Sequence, residues 1–341
     1  MTPKIPRPRN YDPEQPGLFS PEMLGEAPLH NAPAPQDAPQ DAVEDISDDI
    51  VADINMAQIE EPIFFMSFGS GSSGNCSYIG DKRSGFLIDA GIDGLKVTNA
   101  LAAHGISMEK VRGIILTHDH GDHVRYLWSL LKNNRHMLVY CTPKTLNAIL
   151  RRHSISRRVR DYHRAIYKEF DFKIGNFTIT PFEVLHDGAD NAGFFISHGG
   201  IRMAVATDLG CISPRVDNYM RQAQFIVLES NYDLKMLIDG HYPDYLKARI
   251  RADHGHLDNT DAAQFLARIY SPALRYVFLC HLSKDNNTPQ LALDTHRATL
   301  AEHHPTLRIG NGSEEFTTDL QLVALPRFDA TPLYALRPQG I

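Results

Sequence analysis

Seven residues constrain this chain more than any other stretch: Thr117-His118-Asp119-His120-Gly121-Asp122-His123. An apolar run over 111–116 precedes them and an amphipathic run over 124–131 follows, so the cluster is expected where a buried strand ends and a helix begins. His118 and His120 are two apart, which in an extended segment turns both imidazoles to one side. Asp122 and His123 lie just beyond, where a turning chain aims them at a neighbouring point. Imidazole with carboxylate suits zinc, manganese or iron, and two such metals roughly 3.5–4 Å apart can hold a water and clamp the attacking and leaving oxygens of a displacement. A merely polar turn is a poor explanation, because three His and two Asp in seven residues at a strand end serve no packing purpose.

The pattern His-x-His-x-Asp-His resembles the signature of the metallo-β-lactamase fold superfamily. The resemblance implies an α+β fold, the four-layer αββα sandwich, and a metal site, but no particular substrate. Three later positions match the superfamily's order. His186 follows the apolar run 179–185, Asp208 ends MAVATD, and His281 ends YVFLCH. By resemblance, His118, His120 and His186 hold one metal, Asp122, His123 and His281 hold a second, and Asp208 bridges them. The cofactor expectation is therefore two divalent ions. Asp89, ending FLID, is expected to orient a ligand histidine or the metal water, with a plain turn aspartate as the competing explanation.

Further motifs narrow the family. GSGSSGN at 69–75, LESNYDLKMLIDGHYPDYLKARI at 228–250, GHLDN at 255–259 and HLSKDNNTP at 281–289 accompany FLIDAG, THDHGDH and ATDLG. In order and spacing these resemble the WalJ/YycJ family of bacterial hydrolases over about residues 65–305. That resemblance implies a phosphodiesterase, with 5′ to 3′ exonuclease activity on DNA and a link to DNA repair. It makes Asp122 and Asp208 catalytic, and His256 either a contact to the scissile phosphate or the donor of a proton to the leaving oxygen. The usual form of that motif is GHLSN, so Asp258 departs from it, and a helix cap is the alternative role for this stretch. Glu229, in LESN, is expected beside the site as a partner of one of its side chains. Ser70, Ser72, Ser73 and Asn75 belong to a Gly/Ser loop whose N–H groups and hydroxyls can receive a phosphate. Arg151, Arg152, Arg157, Arg158, Arg160, Lys247, Arg249 and Arg251 offer contacts to a nucleic-acid backbone, although a solvated helix end is the more frequent explanation of such a run.

Charge is unevenly placed. Three basic side chains against thirteen acidic ones put −10 on residues 1–62, so the rest of a chain with formal charge −7 carries +3. That slightly basic body permits a polyanionic substrate. Residues 1–62 also hold eleven of the 21 prolines, and are read as a disordered tail with a transient helix over 46–59 and a possible protein partner. Residues 63–325 form the hydrolase domain and 326–341 a C-terminal tail. Strands are expected at 63–68, 76–79, 85–88, 111–116, 137–141, 170–172, 177–184, 193–197, 202–206, 225–229 and 276–280. Helices are expected near 94–103, 124–131, 143–153, 214–222, 245–251, 260–270 and 289–302. Four scattered cysteines without CxxC spacing, no signal-type apolar core and no membrane-length run point to a cytoplasmic protein. Oligomeric state is not readable. Two competing readings stay open: hydrolysis of a small ester, thioester, lactam or cyclic phosphate, and a non-catalytic regulatory member of the fold.

Overall fold

The computed structural model describes residues 61–313 and 318–337; the tail and its 46–59 helix lie outside them. One sheet has the order β15-β1-β2-β3-β4-β5-β6 and the other β13-β14-β12-β11-β10-β9-β8-β7. The first contains β1 (Ile63–Gly69), β2 (Cys76–Gly80), β3 (Gly85–Ile88), β4 (Val111–Ile115), β5 (Leu138–Cys141), β6 (His163–Ala165) and β15 (Tyr334–Leu336). The second contains β7 (Phe172–Ile174), β8 (Phe177–Glu183), β9 (Ala192–His198), β10 (Ile201–Ala206), β11 (Phe225–Glu229), β12 (Tyr276–Cys280), β13 (Ile309–Gly310) and β14 (Leu320–Ala324).

Both faces of each sheet are covered, which is why these strands read as continuous apolar runs. Alternation sorts the side chains. Ile63 and Phe65 of β1 enter the core between the sheets with Phe225 and Val227 of β11 and Phe278 of β12. Their neighbours Met66 and Phe68 pack outward beneath α1 (Gly94–Ala102), α3 (Leu127–Asn133) and α4 (Pro143–Arg152). Ile226, Leu228, Val277 and Leu279 pack outward beneath α6 (Pro214–Arg221), α9 (Asn259–Ile269) and α10 (Pro289–His303). The result is the αββα order of layers.

Strands β3, β4, β5 and β6 run parallel, as do β10, β11, β12 and β14. Parallel strands bring their carboxyl ends to one edge, where ligands bind in such sheets. Asp89, Thr117, Asp208, Glu229 and His281 all stand at or just past such ends.

Several expectations are corrected. The C-terminal stretch is no tail through residue 337: Tyr334–Leu336 pairs antiparallel with β1, Leu336 is buried in the inner core, and Thr331 bonds Ser67 through both N–H and Oγ1. The physical reason is that β1 otherwise presents an unpaired edge. The single helix expected over 124–131 is divided into α2 (Gly121–Val124) and α3, because Tyr126 N–H donates to the Ala90 carbonyl and turns the chain. A short α5 (Val159–Tyr162) precedes β6, and α7 (Leu234–Asp239), capped by Asp233, occupies a stretch read as loop before α8 (Asp244–Ile250). Cys211 is half-buried while the other three thiols are buried. Among the described residues no helix is long and apolar enough to cross a membrane.

His296 of α10 gives the fold a pH dependence. It is fully buried, its Nδ1 donates to the Ala292 carbonyl at 2.9 Å, and burial lowers its pKa to about 4. The unfolded chain therefore binds the extra proton between about pH 6.5 and 4, and stability falls as pH falls through that window. The loss attributable to this side chain reaches about 3 kcal/mol. Urea unfolding of wild type and His296→Leu across this range should show the variant lacking that component; parallel profiles would remove His296 as its source.

Candidate metal centre

Backbone contacts set the motif loop before any side chain does. Asn75 N–H donates to the Asp122 carbonyl at 2.8 Å, Ala90 N–H to the His123 carbonyl at 2.7 Å, and Gly91 N–H to the Asn75 carbonyl at 2.9 Å. Gly91 is obligatory there, since a Cβ would stand 1.6 Å from the Asp122 carbonyl oxygen. The strand end, the Gly/Ser loop and the metal motif are thereby locked together.

Side-chain bonds then choose which ring nitrogen each histidine presents. Asp89, 1% exposed, accepts from Thr117 N–H and Oγ1–H and from His123 Nδ1 at 2.7 Å. With its proton committed to Asp89, Thr117 Oγ1 accepts from His118 Nδ1 at 3.0 Å. His186 Nδ1 donates to the Gly255 carbonyl at 2.8 Å, and His281 Nδ1 donates to Glu229 Oε1 at 2.8 Å. Each of these bonds leaves Nε2 as the free lone pair, the arrangement a metal requires. His281 holds its position with a positive φ of 52°, and Asp89 with 63°, backbone strain stored at the site.

The Nε2 atoms and carboxylates converge. Among the described residues, four sets have ligand atoms within 4.8 Å of one another: His118, His120 and His186; Asp122, His123 and His281; His118, His123 and Asp208; and Asp208, Glu229, His256 and His281. Asp208 stands between the first two sets, 3.3 Å from His123 Nε2 through Oδ2 and 3.8 Å from His186 Nε2 through Oδ1. His118 Nε2, His281 Nε2 and Asp208 Oδ2 are buried with no hydrogen-bond partner. Each such orphan costs about 1–3 kcal/mol, a cost that coordination removes. The donors fit divalent ions.

Glu229 organises the far side. It is fully buried, and its carboxylate accepts from Leu209 N–H at 2.8 Å, Leu257 N–H at 3.1 Å and His256 Nδ1 at 2.7 Å, besides His281. One carboxylate thus orients a clustered imidazole and the His256 ring together. Asp258 Oδ1 caps α9 through Thr260 and Asp261 N–H, so the residue that departs from GHLSN has a structural duty of its own.

Electrostatics keep the carboxylates ionised. Burial opposes charge on Asp122, but His123 and His281 outweigh it and bring the pKa down to about 2. Burial likewise opposes charge on Asp208, and His281 and His123 hold it well below the carboxylate range. Burial disfavours a charged His123, yet Asp208, Asp89 and Asp122 together raise it to about 9. Burial, helped by His123, lowers His118.

Two expected substrate contacts are turned inward. Ser70 Oγ accepts from His281 N–H at 2.9 Å, and Asn75 braces its own loop through Gly71 while donating to Asp122 Oδ2 at 3.2 Å. Both are buried, whereas Ser72 is exposed and Ser73 half-buried. Of the basic residues singled out, Arg152 pairs with Asp119 at 2.7 Å and Arg249 with Asp187. Three residues escaped the sequence reading. Thr117 orients His118; Asp119, fully buried, ties α4 and Ala189 N–H to the motif loop; Asp187 Oδ1 lies 3.4 Å from His120 Nε2 and 3.3 Å from His186 Nε2. Adjacency to His118, His120 and His186 was their only signal.

Residues 85–281 match the beta-lactamase superfamily domain. Over 232 residues the chain is 35% identical to exodeoxyribonuclease YycJ of Bacillus anthracis, covering 67% of this chain and 86% of that protein. Over 224 residues it is 32% identical to exodeoxyribonuclease WalJ of Streptococcus pneumoniae, covering 65% and 82%. Its fold is similar to the metallo-β-lactamase fold protein YhfI of Bacillus subtilis, with a TM-score of 0.56 at 13% identity over 80% of this chain and 99% of that one. With fold, clustered donors and two thirds of the chain in agreement, the chain belongs to the YycJ/WalJ family of the metallo-β-lactamase fold superfamily.

Proposed function

We propose that this protein is a dinuclear metal-dependent phosphodiesterase that acts on DNA as a 5′ to 3′ exonuclease. One observation carries the reading: His256 lines a cavity beside the ligand cluster with its Nδ1 held 2.7 Å from Glu229, which leaves Nε2 for a leaving group. A phosphodiester needs such a donor, because the departing oxygen must gain a proton. The names of the YycJ and WalJ relatives support DNA as the substrate.

His118, His120 and His186 would hold one ion and Asp122, His123 and His281 the other, with Asp208 between the two sets. Zinc, manganese and iron all suit this donor set. When bound, the pair supplies Lewis acidity, acidifying a water and offsetting charge on the phosphoryl oxygens. Asp89, Thr117, Glu229 and the Gly255 carbonyl hold the imidazoles still, so no reorganisation accompanies the reaction. Ser72 and Ser73, on the loop that Ser70 and Asn75 brace, contact the non-bridging oxygens. The water oxygen bonds to phosphorus and gives up one proton to solvent, the P–O3′ bond breaks, and the His256 Nε2 proton passes to the 3′ oxygen. Glu229 stabilises the charged ring before transfer, and solvent restores its proton afterwards.

Two expectations test this. With manganese or zinc added, duplex DNA labelled at its 5′ ends should release the label as mononucleotide; chelation should abolish release, and Asp208→Asn should lower kcat by roughly 10³-fold. DNA left intact with every metal, or full turnover in Asp208→Asn, sinks the reading. Glu229→Gln should fold and lower kcat by roughly 10–100-fold, with weaker metal retention measured by metal analysis after dialysis. Unchanged activity and metal content in that variant would deny Glu229 its positioning role.

A further inference from the structure

We infer that the cavity beyond His256 is a single-nucleotide pocket, in which Arg249 binds the 5′-phosphate of the terminal nucleotide and the apolar face of α8 receives its sugar and base. This rests on the phosphodiesterase reading and deepens it by naming which part of the DNA enters.

The cavity has a volume of about 190 Å³, and its lining joins the donors of Ser72 and Arg249, with Asp187 beside the latter, to the apolar surfaces of Tyr242, Leu246 and Ile250. Leu246 and Ile250 are four apart on α8, which buries no side chain at all; both are half-buried and face the cavity. An inorganic anion has no use for such a wall, whereas a nucleoside has an apolar face to lay against it.

The segment carrying that wall spans the site like a strap. Lys247 Nζ donates to the Ile238 carbonyl at 2.7 Å and ties α8 to α7. Tyr242 Oη donates to Asp285 Oδ2 at 2.7 Å, and Arg249 Nε donates to Asp187 Oδ2 at 2.7 Å, so the strap is pinned on both flanks. Held in this way, α8 presents Leu246, Arg249 and Ile250 as a fixed wall of the cavity, against which a terminal nucleotide rests. Asp187 engages one edge of the Arg249 guanidinium and leaves the Nη1 edge for a phosphate, to which arginine binds in a defined planar geometry. His256, on the same cavity, then stands between this nucleotide and the ligand cluster, where the 3′ oxygen leaves.

Isothermal titration of the metal-loaded protein with deoxyadenosine 5′-monophosphate, deoxyadenosine and inorganic phosphate tests the pocket. The monophosphate should bind at least about tenfold more tightly than either fragment. Arg249→Met should lose about tenfold for the monophosphate and little for deoxyadenosine, and Leu246→Ala should weaken both by roughly fivefold. Circular single-stranded DNA should resist cleavage where the linear form, 5′-phosphorylated, is degraded. A monophosphate that binds no better than phosphate, or equal cutting of circles and ends, overturns the pocket. If the titrations follow expectation but no DNA is cut, the nuclease reading falls and the nucleotide pocket stands; if linear DNA is cut but Arg249→Met leaves every affinity unchanged, the pocket falls and the nuclease reading stands.

Discussion

Asp89, Asp208 and Glu229 are buried at one edge of the sandwich together with His118, His123, His186 and His281, and the stability of that edge depends on pairing every charge. An isolated buried carboxylate costs several kcal/mol even after relaxation, so each must accept hydrogen bonds or face a cation. Asp89 and Glu229 meet the requirement within the protein, with four acceptor contacts or more between their oxygens and the Thr117, His123, Leu209, Leu257, His256 and His281 donors. Asp208 meets it through charge instead: His123 and His281 face it, while its Oδ2 has no hydrogen-bond partner. The difference separates residues that position from residues that bind. Two carboxylates are saturated by the fold, and the third is held open for a cation.

The same logic explains why the sandwich carries the site along one edge. Parallel strands in both sheets end there, and their backbone pairing sets Asp89 beside Thr117 in one sheet and Asp208, Glu229 and His281 beside one another in the other. Helices α1, α3, α4, α6, α9 and α10 cover the outer faces and leave this edge to loops. The rim of the site comes from the Gly/Ser turn, the 186–191 segment and the α7–α8 strap.

Much of this was legible in the chain. The family resemblance, together with their places at the ends of apolar runs, let His118, His120, Asp122, His123, His186, Asp208 and His281 be named as candidate ligands. Most strands and long helices were equally plain from apolar run length. Side-chain direction was not. Ser70 and Asn75 have the composition of a phosphate-binding loop, yet both are spent on His281 N–H, Gly71 and Asp122. Tyr334–Leu336 has no strand signature longer than three residues, and becomes a strand only because β1 offers a free edge.

Residue type and short-range pattern, read with the family resemblance, therefore marked out the candidate metal-ligating residues, the layered α+β class and the division between an acidic N-terminal stretch and a slightly basic body. Tertiary structure alone decided which nitrogen each histidine presents, which carboxylate is saturated and which is open, and that Asp187 and Arg249 meet beside His120 and His186. Those outcomes depend on distances between residues up to about two hundred positions apart, such as Ser70 and His281, which no local pattern encodes. A hydrogen bond is selected by geometry after the chain has folded, while a buried strand end is written by composition before it does.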